Sequence, residues 1–320
     1  MNHLEAAFKG KNNFWRYVVM LVALLLASNT VGSIPLLIAF FRASAENPEI
    51  AGQMAENPAD FSALGLDPFT GLTVMLFPFI AALIAFALLV KPLHSRTFMQ
   101  TINGTSSVRW SHFFISFLVW IVISGLYLIL YLKVEPGNFV LNNTTISLLF
   151  ISLIALALIP FQAGFEEVVF RGYLMQGFAA LLRYRWFPLI VTSVLFGLMH
   201  SLNPEVKEYG FLTMMPQYII FGLIFGIVTL LDDGIEASMG AHAANNIFLV
   251  IMVTHKSSAL QTPALYEQQT IYPWTEFLGL LISGIFFILV LRVIFRWKDF
   301  SAVLSRIPEA DSLQESGTVN

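Results

Sequence analysis

Long apolar runs separated by short polar connections make up most of this sequence. Eight runs reach or approach the roughly 20 consecutive apolar residues that a helix needs to cross a bilayer. They are Phe14–Phe41, Phe69–Val90, Trp110–Leu132, Ile146–Ala163, Trp186–Leu202, Tyr209–Leu231, Ile235–Thr254 and Trp274–Trp297. Runs of this length and continuity are typical of helices and not of barrel strands. The pattern predicts an all-α fold, a polytopic transmembrane bundle of about eight spans.

The composition agrees with an integral membrane protein. Of the 320 residues, 57% are hydrophobic and 12% are charged, whereas roughly 25% are charged in soluble domains. The lipid bilayer is therefore a predicted partner, and the net charge of −3 is too small to indicate nucleic acid binding. The chain has no cysteine, which excludes disulfides, thiolate metal ligands and a cysteine nucleophile. Nothing in the composition indicates an oligomeric state.

Basic residues mark alternate connections between the runs. They precede the first run, follow the second, separate the fourth from the fifth and follow the last: Lys9, Lys11, Arg16, Lys91, Arg96, Arg109, Arg183, Arg185, Arg292, Arg296, Lys298 and Arg306. Cytoplasmic loops carry an excess of lysine and arginine. With eight spans, the charges therefore predict a plasma-membrane protein with both termini in the cytoplasm.

A small set of polar residues lies inside the apolar runs, far from their ends. A charge at the centre of a bilayer costs at least ~2.5–3.5 kcal/mol, so such residues are candidates for function. The set is Glu166, Glu167, Arg171, His200, His242, Asn245 and Asn246. It occupies the predicted helices four to seven and leaves the other spans apolar.

Helical periodicity separates the charges of the fourth segment. Glu167 and Arg171 are four residues apart and share a face, in the favoured order for an ion pair. Glu166 points ~100° away from Glu167 and faces something else. We expect a support pair, Glu167 with Arg171, and one carboxylate left over. A purely structural role for that pair is equally open.

The remaining polar residues can meet Glu166. If segments four and five form an antiparallel hairpin around Tyr184, Glu166 lies 18 residues before it and His200 lies 16 after it, at nearly the same level. His242 and Asn246 share a face of another helix.

This set suits hydrolysis of a peptide bond. That reaction needs a base to activate water and donors to hold the oxyanion. Glu166 fits the base, His200 an orienting partner for the water, and His242 with Asn246 the donors. The predicted substrate is a peptide or protein at or in the membrane.

Three motifs in this order resemble a known family. They are EEVVFR (Glu166 to Arg171), FGLMH (Phe196 to His200) and HAANN (His242 to Asn246). They resemble the CPBP family of intramembrane endopeptidases (CAAX protease and bacteriocin-processing, also called Abi or Rce1-like). The resemblance implies that Glu166 and His200 activate water, and that His242 and Asn246 form the oxyanion hole. It also implies a polytopic helical fold.

Members of that family have been described as glutamate-dependent proteases and as metalloproteases. We favour the metal-free interpretation without a cofactor, because oxyanion donors explain Asn246 and zinc does not. If a metal is present, Glu166, His200 and His242 are the predicted zinc ligands. A non-catalytic scaffold or bacteriocin-immunity protein that retains the motifs is the alternative function. A proton-relaying transporter is a third hypothesis, but no paired inverted halves support it.

Four parts follow from these assignments. Residues 1–145 hold transmembrane helices one to three and a long acidic loop. Residues 146–255 form the CPBP-like catalytic core, 256–297 the last loop and helix eight, and 298–320 a polar tail.

Overall fold

A computed structural model describes residues 3–52, 64–142 and 146–308. Residues 53–63 of the predicted acidic loop and residues 309–320 of the predicted polar tail lie outside the described residues. The α-helices are α1 Phe14–Ala27, α2 Ile34–Glu46, α3 Pro68–His94, α4 Phe98–Ile102, α5 Trp110–Val134, α6 Ile146–Glu167, α7 Met175–Leu181, α8 Trp186–Met199, α9 Pro204–Tyr209, α10 Phe211–Asp232, α11 Glu236–Met252 and α12 Pro273–Phe295. The prediction of an all-α helical membrane bundle is confirmed.

Six helical segments are long and apolar enough to cross a membrane among the described residues. They are Phe14–Gly32, Pro68–His94, Trp110–Val134, Ser147–Leu181, Phe211–Asp232 and Pro273–Phe295. Large apolar side chains cover their outer faces; Leu88, Leu118 and Ile282, for example, are each more than half exposed. Such a surface is stable in contact with lipid and not with water.

Two of the eight predicted spans form shorter helices. The fifth run gives α8, of 14 residues, and the seventh gives α11, of 17 residues. The apolar run of the fifth continues past Met199 into a turn, and that of the seventh continues into a short strand, Val253–Thr254. Apolar residues beyond a helix end count toward a run but do not lengthen the helix, so the runs overestimated these two spans.

A small sheet lies at one end of the bundle. Its strands are β1 Phe139–Leu141, β2 Val253–Thr254 and β3 Tyr266–Gln268, in the order β1-β3-β2. β3 pairs antiparallel with β1 and parallel with β2. The sheet ties the connection after α5 to the connection between α11 and α12.

The opposite end is held together by hydrogen bonds between the basic connections and both described chain ends. Arg109 forms ion pairs with Asp232 and Glu236, and the ring nitrogen of Trp297 donates to Asp232 at 3.1 Å. The backbone N–H of His3 donates to Asp233 at 2.7 Å, and the N–H of Arg185 donates to the Ser305 carbonyl. We call this the basic end. Both described chain ends therefore lie on one side of the bundle.

Helix α11 is at the centre and packs most extensively against α5 and α6. Its buried residues are mainly small: Ala237, Ser238, Gly240, Ala241, Ala243 and Ala244. Small residues let membrane helices approach closely. At Gly240 the approach is closest, because an added Cβ would lie 2.1 Å from the Phe113 carbonyl oxygen of α5.

The fourth segment has its irregularity in an unexpected place. Helix α6 passes through Pro160 and Gly164, two residue types that often interrupt helices, without ending. The chain then makes a π-helical turn at Val168–Leu174 and continues as α7. Turns of this kind are frequent at functional sites. Glu166 and Glu167 lie directly before the turn, and Arg171 lies within it.

We expect Gly240→Ala to destabilise the protein by about 1–3 kcal/mol, because the new methyl group forces α11 away from α5. Gly125→Ala is the matched control on α5, where an added Cβ meets no atom within 4 Å. Its unfolding free energy should change by less than ~0.5 kcal/mol. Thermal unfolding of the purified proteins in detergent measures both. Equal effects of the two substitutions would contradict the close approach.

Candidate active site

Glu166 lies in the last turn of α6 and has one oxygen without a protein partner. Its Oε1 accepts a hydrogen bond from Gln162 Nε2 at 2.6 Å, one helical turn earlier. No protein group donates to its Oε2, although that atom is buried. Glu167 Oε2 also lacks a hydrogen-bond partner, but Glu166, unlike Glu167, lines a cavity in which water or a substrate can pair with the free oxygen.

His242 joins Glu166 to Glu167. Its Nδ1 lies 2.8 Å from Glu167 Oε1, and its Nε2 lies 3.6 Å from Glu166 Oε2. A carboxylate that is paired with a cation only accepts, so Nδ1 carries the proton. In the neutral ring Nε2 is then an acceptor. It is a donor only in the doubly protonated ring.

The predicted pair of Glu167 and Arg171 forms and is completely buried. Arg171 Nη1 donates to Glu167 Oε1 at 3.0 Å, and both side chains have no exposed surface. Arg171 Nη2 donates to the Gly222 carbonyl at 3.3 Å, and its guanidinium lies 4.3 Å from the centre of the Phe196 ring. Glu167 Oε1 thus receives Arg171 and His242 together. The pair orients the histidine as well as neutralising a charge.

Asn246 reaches the site through Gln162. Its Nδ2 donates to Gln162 Oε1 at 2.9 Å, so Gln162 connects Asn246 with Glu166. Asn245 donates to Asn246 Oδ1 at 3.1 Å and accepts from Trp120 at 3.3 Å. Asn245 therefore bonds α11 to α5 and fixes the orientation of the Asn246 amide. One N–H of Asn246 is left for another acceptor.

His200 stands at the C-terminus of α8, apart from the other residues. Its Nδ1 donates to the Phe196 carbonyl at 2.8 Å, which leaves Nε2 as an acceptor in the neutral ring. The ring stacks on Tyr218 at 4.6 Å. Its described contacts do not include Glu166, but both residues line the same cavity. His200 and Glu166 therefore share a cavity, which is compatible with the predicted similar level along the bundle. No hydrogen bond or ion pair between them is present among the described residues.

The cavity has a volume of about 340 Å³ and contains Glu166, His200, His242 and Asn246 in its wall. Two further carboxylates, Glu205 and Glu276, line it, and the described lining includes no lysine or arginine. Burial raises the pKa of the Glu205 carboxyl. Burial also lowers the pKa of His255 to about 4, so this ring carries no charge at neutral pH. The cavity is thus acidic in character and large enough for a few residues of a peptide.

Gln162 is the site residue that the sequence analysis missed. It lies in an apolar run and carries no charge, so it did not stand out beside the glutamates. Its position one turn before Glu166 was the available signal, because residues four apart share a helix face. An uncharged amide can donate to one partner and accept from another, which is what Gln162 does here.

The zinc alternative has no assembled ligand set in this part of the chain. Among the described residues, no group of three His, Cys, Asp or Glu side chains is arranged to hold a metal ion. The Nδ1 atoms of His200 and His242 are engaged with Phe196 and Glu167, so only their Nε2 atoms could coordinate a metal ion. We therefore derive no catalytic step through a metal.

Comparisons with known proteins identify a family that covers this part of the chain. Residues 145–248 match the model of the Rce1-like family, described as type II CAAX prenyl endopeptidases. The predicted resemblance to the CPBP family is confirmed. The matched residues contain every residue predicted to act. The chain is also 27% identical over 289 residues to YyaK of Bacillus subtilis (strain 168), an uncharacterized protein, covering 89% of this chain and 94% of that relative. No solved structure matches the chain.

We expect Arg171→Met to reduce stability by about 3–5 kcal/mol, because it leaves Glu167 buried without a cation. Arg292→Met, at an exposed position near the end of α12, is the control and should change stability by less than ~0.5 kcal/mol. Detergent unfolding and accumulation in the membrane measure both.

If Arg171→Met does not accumulate, the double variant Glu167→Gln with Arg171→Met provides the test. Removing both charges removes the unpaired buried carboxylate, so it should accumulate better than the single variant. A single variant as stable as the unsubstituted protein would contradict the role of the pair.

Proposed function

We propose that the protein is an intramembrane endopeptidase that hydrolyses a peptide bond with a water molecule activated by Glu166. The observation that carries the proposal is the buried, unpartnered Oε2 of Glu166 beside His242 in the cavity wall. The Rce1-like match over residues 145–248 supports a protease of the CAAX type. No metal or other cofactor is part of the proposed reaction.

The first step is proton transfer from water to Glu166. Oε2 accepts the proton while the water oxygen attacks the peptide carbonyl carbon. Oε1 keeps its hydrogen bond from Gln162, which holds the carboxylate in one orientation. His200 lines the same cavity and can accept a second hydrogen bond from the water through Nε2.

The second requirement is stabilisation of the oxyanion that forms on the carbonyl oxygen. His242 in its cationic form donates through Nε2, and Asn246 donates through its second amide N–H. Glu167 holds the ring in this orientation, because its carboxylate accepts the Nδ1 proton at 2.8 Å. Arg171 fixes Glu167 in turn. Glu167 and Arg171 are therefore positioning residues, and His242 and Asn246 touch the reacting atoms.

The last step is collapse of the tetrahedral intermediate. Glu166 gives the proton taken from water to the leaving nitrogen, and the C–N bond breaks to give a carboxylic acid and an amine. The carboxylate at Glu166 is restored. No group other than the substrate and one water is consumed.

The bundle is proposed to lie in the plasma membrane with both termini in the cytoplasm. Both described chain ends lie at the basic end, where most lysines and arginines are found. The positive-inside rule places such an end in the cytoplasm. The substrate is a peptide or protein associated with the same membrane.

We expect Glu166→Gln to lower the rate of proteolysis by ~10²–10⁴-fold, because an amide cannot take a proton from water. Asn246→Ala should lower it by ~10²–10³-fold through loss of an oxyanion donor. Asn29→Ala, an exposed amide in the first span that does not line the cavity, is the matched control and should leave the rate unchanged. Cleavage of membrane-anchored peptides by the purified protein in lipid vesicles measures these rates.

The same assay is repeated with a metal chelator and then with added zinc. Activity that survives Glu166→Gln would remove the proposed mechanism. Activity lost with chelator and restored by zinc would replace the metal-free reaction with a metal-dependent one. A cellular phenotype that is the same for the unsubstituted protein and for Glu166→Gln would favour the scaffold hypothesis.

We expect Gln162→Leu to lower kcat by about 10²-fold, since both Glu166 and Asn246 lose the partner that orients them. KM should change less, because Gln162 positions other residues and does not itself take part in the reaction. Gln162→Glu should not restore activity, as it places a second carboxylate against Oε1 of Glu166. Equal activity of Gln162→Leu and the unsubstituted protein would contradict this role.

A further inference from the structure

The cavity runs from the polar residues in the middle of the bundle to the end opposite the basic end. Its inner wall includes Glu166, Phe225 and His242. Its outer wall is made of residues that connect helices at the sheet end: Asn203, Glu205, Tyr209, Val253, His255, Ser258, Ala259, Leu260, Gln268 and Ile271. The cavity thus connects Glu166 and His242 with the sheet end.

The connections of the outer wall form one structural unit. The backbone N–H of Ala259 donates to Glu205 at 2.9 Å, which joins the segment after α11 to α9. Gln268 in β3 donates to Glu276 at 3.0 Å, which joins the sheet to α12. These bonds hold the rim of the cavity at the sheet end.

None of the residues lining the cavity belongs to the described segments of the basic end. There, His3 contacts both the Arg171 carbonyl and Asp233, and Gln176 donates to the His3 and Gln100 carbonyls. Leu4, Met175 and Ile307 form one apolar cluster at this end. These contacts close the bundle between its basic end and the catalytic residues.

The distribution of lysines and arginines indicates which side of the membrane the cavity faces. Twelve of the seventeen lysines and arginines lie at or next to the basic end, and Arg171 is buried. Only Arg42, Lys133, Lys207 and Lys256 lie elsewhere. The cytoplasmic face of a membrane protein carries the excess of basic residues. The sheet end is therefore the non-cytoplasmic end.

We propose that the catalytic cavity opens to the non-cytoplasmic face, and that its substrate is a peptide segment exposed on that side of the membrane. Such a segment is an extracytoplasmic loop or tail of a membrane protein, or a secreted peptide, and not a lipid-modified tail in the cytoplasm. The assignment of a substrate rests on the proposed endopeptidase function. The direction of opening does not.

The depth of the cavity fits an extended peptide. From Met214 to Phe225, both in its wall, α10 advances by about 16 Å at 1.5 Å per residue. An extended chain covers this distance with about five residues at ~3.3 Å each. A short peptide segment can therefore reach Glu166 from the non-cytoplasmic side.

Cysteine labelling tests the direction of opening, because the natural chain contains no cysteine. Three single variants are needed. Ser258→Cys probes the outer wall of the cavity, Gln217→Cys probes α10 further inside, and Ser301→Cys probes an exposed position at the basic end. Each is exposed to a membrane-impermeant maleimide, first on intact cells and then after permeabilisation. Full labelling after denaturation confirms that each variant is present in the membrane.

We expect Ser258→Cys and Gln217→Cys to react on intact cells, and Ser301→Cys to react only after permeabilisation. The proposal is overturned if either cavity cysteine reacts only after permeabilisation, or if Ser301→Cys reacts on intact cells. The readout is independent of proteolysis. Failure of the proposed function would appear in the cleavage rates of Glu166→Gln and would leave these labelling patterns unchanged.

Discussion

Glu167 Oε1 is the atom on which the arrangement of this site depends. It accepts from Arg171 at 3.0 Å and from His242 at 2.8 Å, in a place without exposed surface. Because charges in such an environment are costly when unpaired, the three side chains stabilise one another and no member can be removed without a penalty. The same contacts join the end of α6, the π-helical turn and α11. The ion pair of Glu167 with Arg171 and the orientation of the His242 ring therefore depend on the same carboxylate oxygen.

Small residues on α11 allow close helix packing, and polar residues on the same part of the helix form hydrogen bonds and line the site. Gly240 lets α11 approach the α5 backbone closely, and Ser238 donates to the Phe225 carbonyl of α10 at 2.7 Å. His242 and Asn246 lie on the same helix, so this close contact also fixes the position of their backbone atoms. Because hydrogen bonds between membrane helices are individually modest, the precision of the site comes from backbone approach as much as from polar bonds. Positioning and packing are thus supplied by the same helix.

Local periodicity was sufficient to predict the pairing of Glu167 with Arg171 and to separate Glu166 from them, since both depend only on positions along one helix. It could not predict the bond between Glu167 and His242, which are 75 residues apart and meet through tertiary packing. Gln162 was missed because an uncharged amide gives no electrostatic signal in an apolar run. The π-helical turn lies at Val168–Leu174, where the sequence has no proline, so the local sequence carried no signal for it.

The two spans that the apolar runs overestimated explain why the cavity opens where it does. At 1.5 Å per residue α8 is about 21 Å long and α11 about 26 Å, both shorter than the ~30 Å hydrocarbon core. Both begin at the basic end, so the shortfall is at the sheet end, where α8 stops at Met199 and α11 at Met252. The chain there continues as α9, β2 and the connection to β3, and these segments line the outer wall. Irregular backbone at membrane depth is tolerated where it lines a cavity. Shortening of two helices at one end therefore produces a polar recess that reaches Glu166 and His242 from the sheet end.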